Sequence, residues 1–479
     1  MLVFYSPLRH FTKSFRFCLA PFLQGPGLPF AEVLDEKQIA AAFAAEGVAF
    51  GEAEGAVYTP AVTLWAFLSQ VLHPGELRSC AAAVSRVIVL LVALGRKPCS
   101  TDTGAYCRAR AKLPEKVLQR LTRDVGRQLE AAVPEEWLWF GRHVKLVDGT
   151  TATMPDTPTN QGAYPQHTAQ PPGLGFPIVR MVVLLSLATA AVCGAAFGPY
   201  AGKETGESAL LRSLLDELNP GDILLGDRCY CSYFLLALAS LRKVDWVARL
   251  HQRRKTDFRR GICVGQNDHR VAWHRPSRPD WMDEATYALI PKSMIVREIK
   301  VQVHEPGFRV EEFILATTLL NPWLYPTAAL AELYHYRWNA ELDLRALKQS
   351  LALEPLRCKS PEMVCKELWT CWLAYNLIRK TIAQAAQAAA KLPRQISFAG
   401  ARQTLAASWD RLSTAPPAVV QTWAAAQLAA IASREVGNRP NRVEPRAIKR
   451  RPKPHKFLKM PRREARDALL ASGRKRRTG

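Results

Sequence analysis

The chain is expected to fold as an α/β protein: a central core with a mostly β insertion, a helical N-terminal domain, and a helical C-terminal region with a basic tail. Three observations point there. Residues 59 to 134 carry helical patterning throughout. Residues 140 to 250 then read β-β-β-α-β-α-β. After an interruption of alternating runs, a helix-forming stretch resumes at Tyr325.

The helical block has explicit starts and stops. Thr59-Pro60 opens a helix through Leu72, and His73-Pro74-Gly75 breaks it. A second helix follows from Glu76 to Leu94. Ser100-Thr101-Asp102 offers an N-cap before Gly104 to Lys112, and Pro114 begins a fourth helix through Leu129. Short helices with tight turns, the third carrying Arg108 and Arg110, suit a DNA-contacting module; a helical cap with solvated arginines fits equally. Ahead of this block, residues 1 to 55 are weakly patterned, with one Ala-rich helical segment at Ile39 to Ala45.

Val144 to Thr151 alternates like a strand and carries Asp148. Met181 to Pro199 has no charge and is long enough to cross a membrane. Gly194, Gly198 and Pro199 crowd its second half, however, so two buried strands joined by a tight turn are expected. A helix from Ser208 to Leu218 follows. Asp222 to Asp227 is a short buried strand ending in a carboxylate. A helix from Ser232 to Leu241 and a strand from Asp245 to Leu250 complete the first half of the core. The interruption, His251 to Leu320, contains Arg253-Arg254-Lys255, Arg259-Arg260, Trp273 and Trp281; Ile295 to Val303 and Phe308 to Leu315 read as strands. Beyond the core helix, Pro361 starts a long apolar helix through Ala389, and Phe398 to Ser433 is again helical. The last 41 residues, from Arg439, hold sixteen Lys or Arg against three acids, with five prolines. That composition cannot build a core and stays extended until it meets a polyanion.

Composition bounds the partners. The 479 residues carry 65 Lys+Arg against 42 Asp+Glu, a net charge of +23. A chain this basic meets a polyanion, nucleic acid first among them, with anionic membrane surfaces as the competing reading. Eleven cysteines include no C-x2-C pair, which supports neither a zinc ribbon nor a disulfide framework; the odd count, mostly within apolar stretches, suits reduced thiols in a cytoplasm. No apolar signal segment is found near the N-terminus, and no second candidate span exists.

The stretch Tyr325 to Leu351 opens with Pro326-Thr327 and has no further Pro and no Gly, so one helix is expected. At roughly 100° per residue, Tyr334, Arg337, Glu341, Arg345 and Lys348 share an arc of about 80°. One carboxylate in a row of cations is either a solvated ion-pair stripe or a site holding a metal through Glu341 and phosphates through the cations. Asp148 and Asp227 tip the balance. Acids on the first strand, at the end of the fourth and on a later helix can converge at one sheet edge. Oxygen donors there suit divalent ions about 3.5–4 Å apart, which activate an oxygen nucleophile and neutralise a leaving oxygen.

These residues carry a resemblance. Tyr334, Arg337, Glu341 and Lys348 match the Y-x2-R-x3-E-x6-K signature of DDE transposases of the insertion-sequence-four family. Asp148-Gly149-Thr150 and Gly226-Asp227-Arg228-Cys229-Tyr230 look like that family's first and second acidic motifs. The resemblance covers about residues 60 to 390. It implies a ribonuclease-H-like catalytic core and cut-and-paste transposition. Asp148, Asp227 and Glu341 would hold two Mg²⁺ ions, with Mn²⁺ able to substitute. Tyr334, Arg337 and Lys348 would grip end phosphates, joined by Arg345. An aromatic of the β insertion would stack on a flipped base, with Trp273 and Trp281 as candidates, although an ordinary core position is the readier reading of each. Implied partners are double-stranded DNA, as terminal inverted repeats and target, and a second copy in a homodimer, in a bacterial cytoplasm at the nucleoid. Two rivals stand beside it: a nuclease of the same fold without strand transfer, and an inactive DNA-binding copy. The expected domains are a DNA-binding one at 1–135, core at 136–250, insertion at 251–320, core again at 321–390, a helical region at 391–438 and the tail at 439–479.

Overall fold

A computed structural model of the chain describes residues 14–23, 30, 33–302, 312–437 and 457–471. Short α1 (Arg16–Leu19) and α2 (Glu36–Ala45) precede four helices, α3 (Pro60–Leu72), α4 (Cys80–Ala93), α5 (Gly104–Lys112) and α6 (Glu115–Ala131). Strand β1 (Val144–Thr153), α7 (Pro158–Ala163), β2 (Ile178–Ser186), β3 (Val192–Pro199), α8 (Glu207–Arg212), β4 (Ile223–Gly226), α9 (Tyr233–Leu241) and β5 (Asp245–Arg249) follow. Next come β6 (Ile262–Gly265), β7 (Asp268–His274), α10 (Glu284–Leu289), β8 (Ser293–Gln302) and β9 (Glu312–Thr317). The last elements are α11 (Thr327–His335), α12 (Trp338–Arg345), α13 (Pro361–Ala388), α14 (Phe398–Thr414), α15 (Pro417–Ala432) and α16 (Arg462–Ala471).

The caps explain most starts. Thr59, Ser79, Ser232 and Ser397 each accept a backbone N–H with the side chain, and Asp35 closes a capping box with Gln38.

All nine strands form one sheet, in the order β3-β2-β1-β4-β5-β9-β8-β7-β6. β2 runs antiparallel to β1, and β3 to β2, while β4 and β5 continue parallel to β1. From β9 to β6 every pairing is antiparallel. Successive residues point to opposite faces. Leu146, Leu225 and Val247 therefore belong to one hydrophobic cluster, shared with α3, α6, α13 and α14. Val147, Leu224 and Trp246 belong to the other, shared with α9 and the insertion strands. Helix α13 crosses the first face almost wholly buried. Its Asn376 amide accepts from the Val192 N–H (2.8 Å) and donates to Val192 O (2.9 Å) and Thr122 O (3.0 Å), tying α13 to β3 and α6.

The two strands expected within Met181 to Pro199 are present as β2 and β3. No helix among the described residues is long and apolar enough to cross a membrane. Several expectations need correction. The weakly patterned N-terminus contributes core: Phe17, Cys18, Phe22 and Leu23 are buried. The helix read from Glu76 begins at Cys80, because Arg78 turns inward to Glu367 (2.8 Å) and the carbonyls of Leu351 and Ala352. The helix read from Ser208 ends at Arg212, with a 3-10 turn over Leu215–Glu217.

Tyr325 to Leu351 is not one helix. It tightens at Tyr336–Arg337 through i→i+3 bonds, and it widens to a π turn over Ala346–Ser350. Phe398 to Ser433 splits at Pro416-Pro417. The insertion does not form a sheet of its own, since β9 pairs with β5 of the core. Part of the strand read at Phe308 to Leu315, and the end of the one read at Ile295 to Val303, fall outside the described residues, as does most of the basic tail. Within that tail, Arg462–Ala471 is helical rather than extended, with no buried residue.

Gly126 faces the Val192 carbonyl so closely that a Cβ there would collide with it. Gly126→Ala is expected to lower stability by about 1–3 kcal/mol, since a packed backbone cannot give way cheaply. Urea unfolding checks this.

Candidate active site

Three parallel strands end side by side. Lys145 pairs with Leu224 and Leu146 with Leu225, so the same register carried two steps on brings Asp148 level with Asp227. Gly226 pairs with Ala248, which brings Arg249 level with Asp227 in turn. Alternation puts Asp148 on the face of Leu146 and Asp227 on the face of Leu225. That is the face on which Ala340 and Leu344 bury the inner side of α12, and α12 packs on β1. Both aspartates thus look toward the helix that carries Glu341.

The electrostatics agree. Burial pushes the Asp148 carboxyl up to about 6; the Gly149 N–H (2.8 Å) and Arg337 oppose the rise, and the charges of Asp227 and Glu341 add to it. Arg337 donates to Glu341 Oε1 at 3.4 Å. Burial works against its guanidinium charge, but Tyr334, Asp148, Glu341 and Asp227 outweigh it. Tyr334 packs on Phe313 (5.0 Å between centroids); burial pushes its phenol up while Arg337 and Arg249 oppose. Asp227 Oδ1 accepts from the Cys229 N–H at 2.7 Å, which sets the turn after β4.

On the far side of α12, Asp343 is buried and accepts from Arg379 (2.8 Å) and Arg394 (3.0 Å). Arg394 also donates to the carbonyls of Ser186 and Leu187. This clamp fixes the rotation of α12, so Glu341, two residues earlier, faces outward.

Asp148, Asp227, Glu341, Tyr334 and Arg337 thus lie at one sheet edge, near enough for their charges to act on one another. Other sequence candidates stand differently. Lys348 lies in the π turn and pairs with Glu354 (2.8 Å), while Arg345 is exposed. Arg108 is exposed on α5. Arg110 turns inward, donating to Gln70 Oε1 (3.0 Å) and stacking on Phe67 and Tyr106, which occupies its guanidinium. Trp273 is 2% exposed, its indole donating to Glu298 Oε1 (2.7 Å) under Arg254 (3.8 Å), so it is a core residue. Trp281 is held between Arg212 (3.8 Å) and Phe234 (6.0 Å).

Sequence reading missed two residues at this edge. Arg249 could have been found by extending the parallel register to a third strand. Glu207 had no periodic signal, because it follows an irregular loop.

Carboxylate oxygens are the donors hard divalent ions prefer. Three acids sharing one Arg337, with Asp148 held up by burial, form an excess of negative charge that a cation would relieve. Among the described residues no three His, Cys, Asp or Glu side chains stand together around one point. Mg²⁺ is commonly held by one or two carboxylates, with water and substrate oxygens completing the shell.

The raised Asp148 value has a sign that can be tested. The folded state favours the protonated acid, so the metal-free protein loses stability as pH rises from the unfolded value near 4 through about 6. Asp148→Asn removes the charge and is expected to raise the metal-free melting temperature at pH 7.5. The gain should vanish below about pH 4. Calorimetric scans across pH read both.

The family model described as transposase DDE domain matches residues 139–377. The transposase InsG for insertion sequence element IS4, from Escherichia coli (strain K12), is 29% identical over 326 residues, 66% of this chain and 68% of its own. A solved chain described as piggyBac transposase synaptic complex with hairpin DNA aligns over 91% of this chain and 89% of its own. Its identity is 10% and its TM-score 0.43, too low to bear on function.

Proposed function

This chain belongs to the insertion-sequence-four family of DDE transposases, enzymes that cut DNA and transfer strands, and from that premise we propose that Asp148, Asp227 and Glu341 are its catalytic carboxylates. One observation supports the assignment: the parallel β1–β4 register brings Asp148 level with Asp227, on the face where α12, which carries Glu341, packs on β1. The sheet order β3-β2-β1-β4-β5, with only β2 antiparallel to β1 among its two neighbours, supports a ribonuclease-H-like core interrupted by residues 251–320.

The three carboxylates would hold two divalent ions, Mg²⁺ with Mn²⁺ as a substitute. Bound there, such ions lower the pKa of water or of a 3′-hydroxyl and neutralise the leaving oxygen. The protein's own part is placement and charge. Arg337, half-buried between Glu341 and Asp148, offers planar donors to a phosphate. Tyr334 and Arg249 extend that grip along the sheet edge, and exposed Arg345 extends it along α12. The helical residues before 135 and the basic tail supply further DNA affinity, and a homodimer pairs two ends for cutting and pasting.

Glu341→Gln tests the reading. Gln keeps the side-chain length and one acceptor oxygen, so folding and binding of terminal-repeat DNA should survive. A neutral amide is a poor ligand for Mg²⁺. Cleavage and strand transfer are expected to fall by about three orders of magnitude, roughly 4 kcal/mol of barrier. Near-normal cleavage in Mg²⁺ overturns the assignment.

A further inference from the structure

Behind the carboxylate edge, on the reverse face of the sheet, lies an acid that the reaction as described does not use. Glu207, the first residue of α8, folds over Gly149, where an added Cβ would collide with its carboxyl carbon. Its Oε2 accepts from the Tyr230 hydroxyl (3.3 Å) and from the Cys229 thiol (3.5 Å). Tyr230 is fully buried in the reverse-face cluster. Cys229 is the residue whose N–H holds Asp227 Oδ1. The loop leading to α8 is pinned in turn by Arg180, which donates to Thr205 O at 2.8 Å.

We propose that Glu207 is a positioning residue for strand cleavage and transfer, fastening the Asp227 turn to the strand that carries Asp148. β1 and β4 hydrogen-bond only up to Leu146 and Leu225, short of either aspartate. Two mutually repelling carboxylates at the ends of adjacent strands tend to splay. Glu207 closes that gap from behind: it touches the backbone beside one aspartate and the two residues that shape the turn of the other. Its placement on the face opposite the aspartate side chains sets it apart from the ligands themselves. The second acidic motif thereby gains a reason for Tyr230, and Asp148-Gly149 a reason for its glycine.

The proposal rests on Asp148 and Asp227 being catalytic, so Asp227→Asn is measured beside it. The full chain is compared as Glu207→Ala, Glu207→Gln, Tyr230→Phe and the Glu207→Ala/Tyr230→Phe double variant. The probe is a duplex bearing the element's own terminal repeat. Readouts are single-turnover cleavage in Mg²⁺, Mn²⁺ affinity of the DNA-bound protein by electron paramagnetic resonance, and DNA affinity without divalent metal. Glu207→Ala should lower cleavage and Mn²⁺ affinity by about 10–100-fold, the range for residues that orient metal ligands. Metal-free DNA affinity should hold. Glu207→Gln, whose amide oxygen still accepts both hydrogen bonds, should restore most of the loss, and the double variant should be no worse than Glu207→Ala.

Parent-like cleavage and Mn²⁺ affinity in Glu207→Ala overturn the proposal. So does a Glu207→Gln as impaired as Glu207→Ala, which would make the charge itself the active feature, and so does loss of metal-free DNA binding. A fully active Asp227→Asn would instead overturn the catalytic assignment. An inactive Asp227→Asn beside an unimpaired Glu207→Ala would sink only the role given to Glu207.

Discussion

Holding three carboxylates at one partly buried sheet edge is the constraint around which this architecture is built. Burial pushes the Asp148 carboxyl up to about 6, the charges of Asp227 and Glu341 add to the rise, and the Gly149 N–H and Arg337 together do not bring it back to the ordinary range. A loose arrangement would relax by spreading the acids into water. Rigid attachments prevent that. On one side stand hydrogen-bonded parallel strands; on the other, Asp343 is gripped by Arg379 and Arg394. Removing one partner from a buried pair of this kind costs about 3–5 kcal/mol. That matches or outweighs the repulsion of two unit charges in a partly hydrated cleft, about 1–4 kcal/mol at a separation of about 4 Å.

The two-helix stretch that carries Tyr334 and Glu341 is held at both ends by different parts of the chain. Arg297, fully buried on β8, makes a two-pronged pair with Asp268 of β7 (2.9 and 2.6 Å) and donates to Tyr325 O (2.7 Å). Thr327, at the start of α11, donates to the same Asp268 (2.9 Å). The insertion thus grips the entry to α11, while α13 grips α12 through Asp343.

How much of this was legible in the sequence depends on whether the signal was local. Strand and helix starts at Thr59, Val144 and Ser232 could be read because caps and alternation lie within a few residues. The pairing of acids could be read too, since β-α-β order implies parallel neighbours. What failed depended on distant partners. For Trp273 the sequence left a base-stacking role open beside an ordinary core position, because nothing near it announces that β8 will bring Glu298 to its indole. Arg110 looked solvated, although Tyr106 one turn earlier was a hint of stacking. Lys348 fell on the predicted stripe only for a regular helix; the π turn changes its bearing and leaves it beside Glu354. Arg78 delays the start of a helix for the sake of contacts nearly 300 positions away.

The pairing of β9 with β5 has a consequence for how such chains tolerate rearrangement. A sheet that stopped at β5 would present an open row of backbone N–H and C=O groups, a template for self-association. Here the segment between the second and third acidic motifs covers that row, so it shields the core as well as decorating it. Its removal would leave a sticky margin and not a smaller enzyme. On that side of the sheet the open margin is β6, where the strand is short and its residues already meet water.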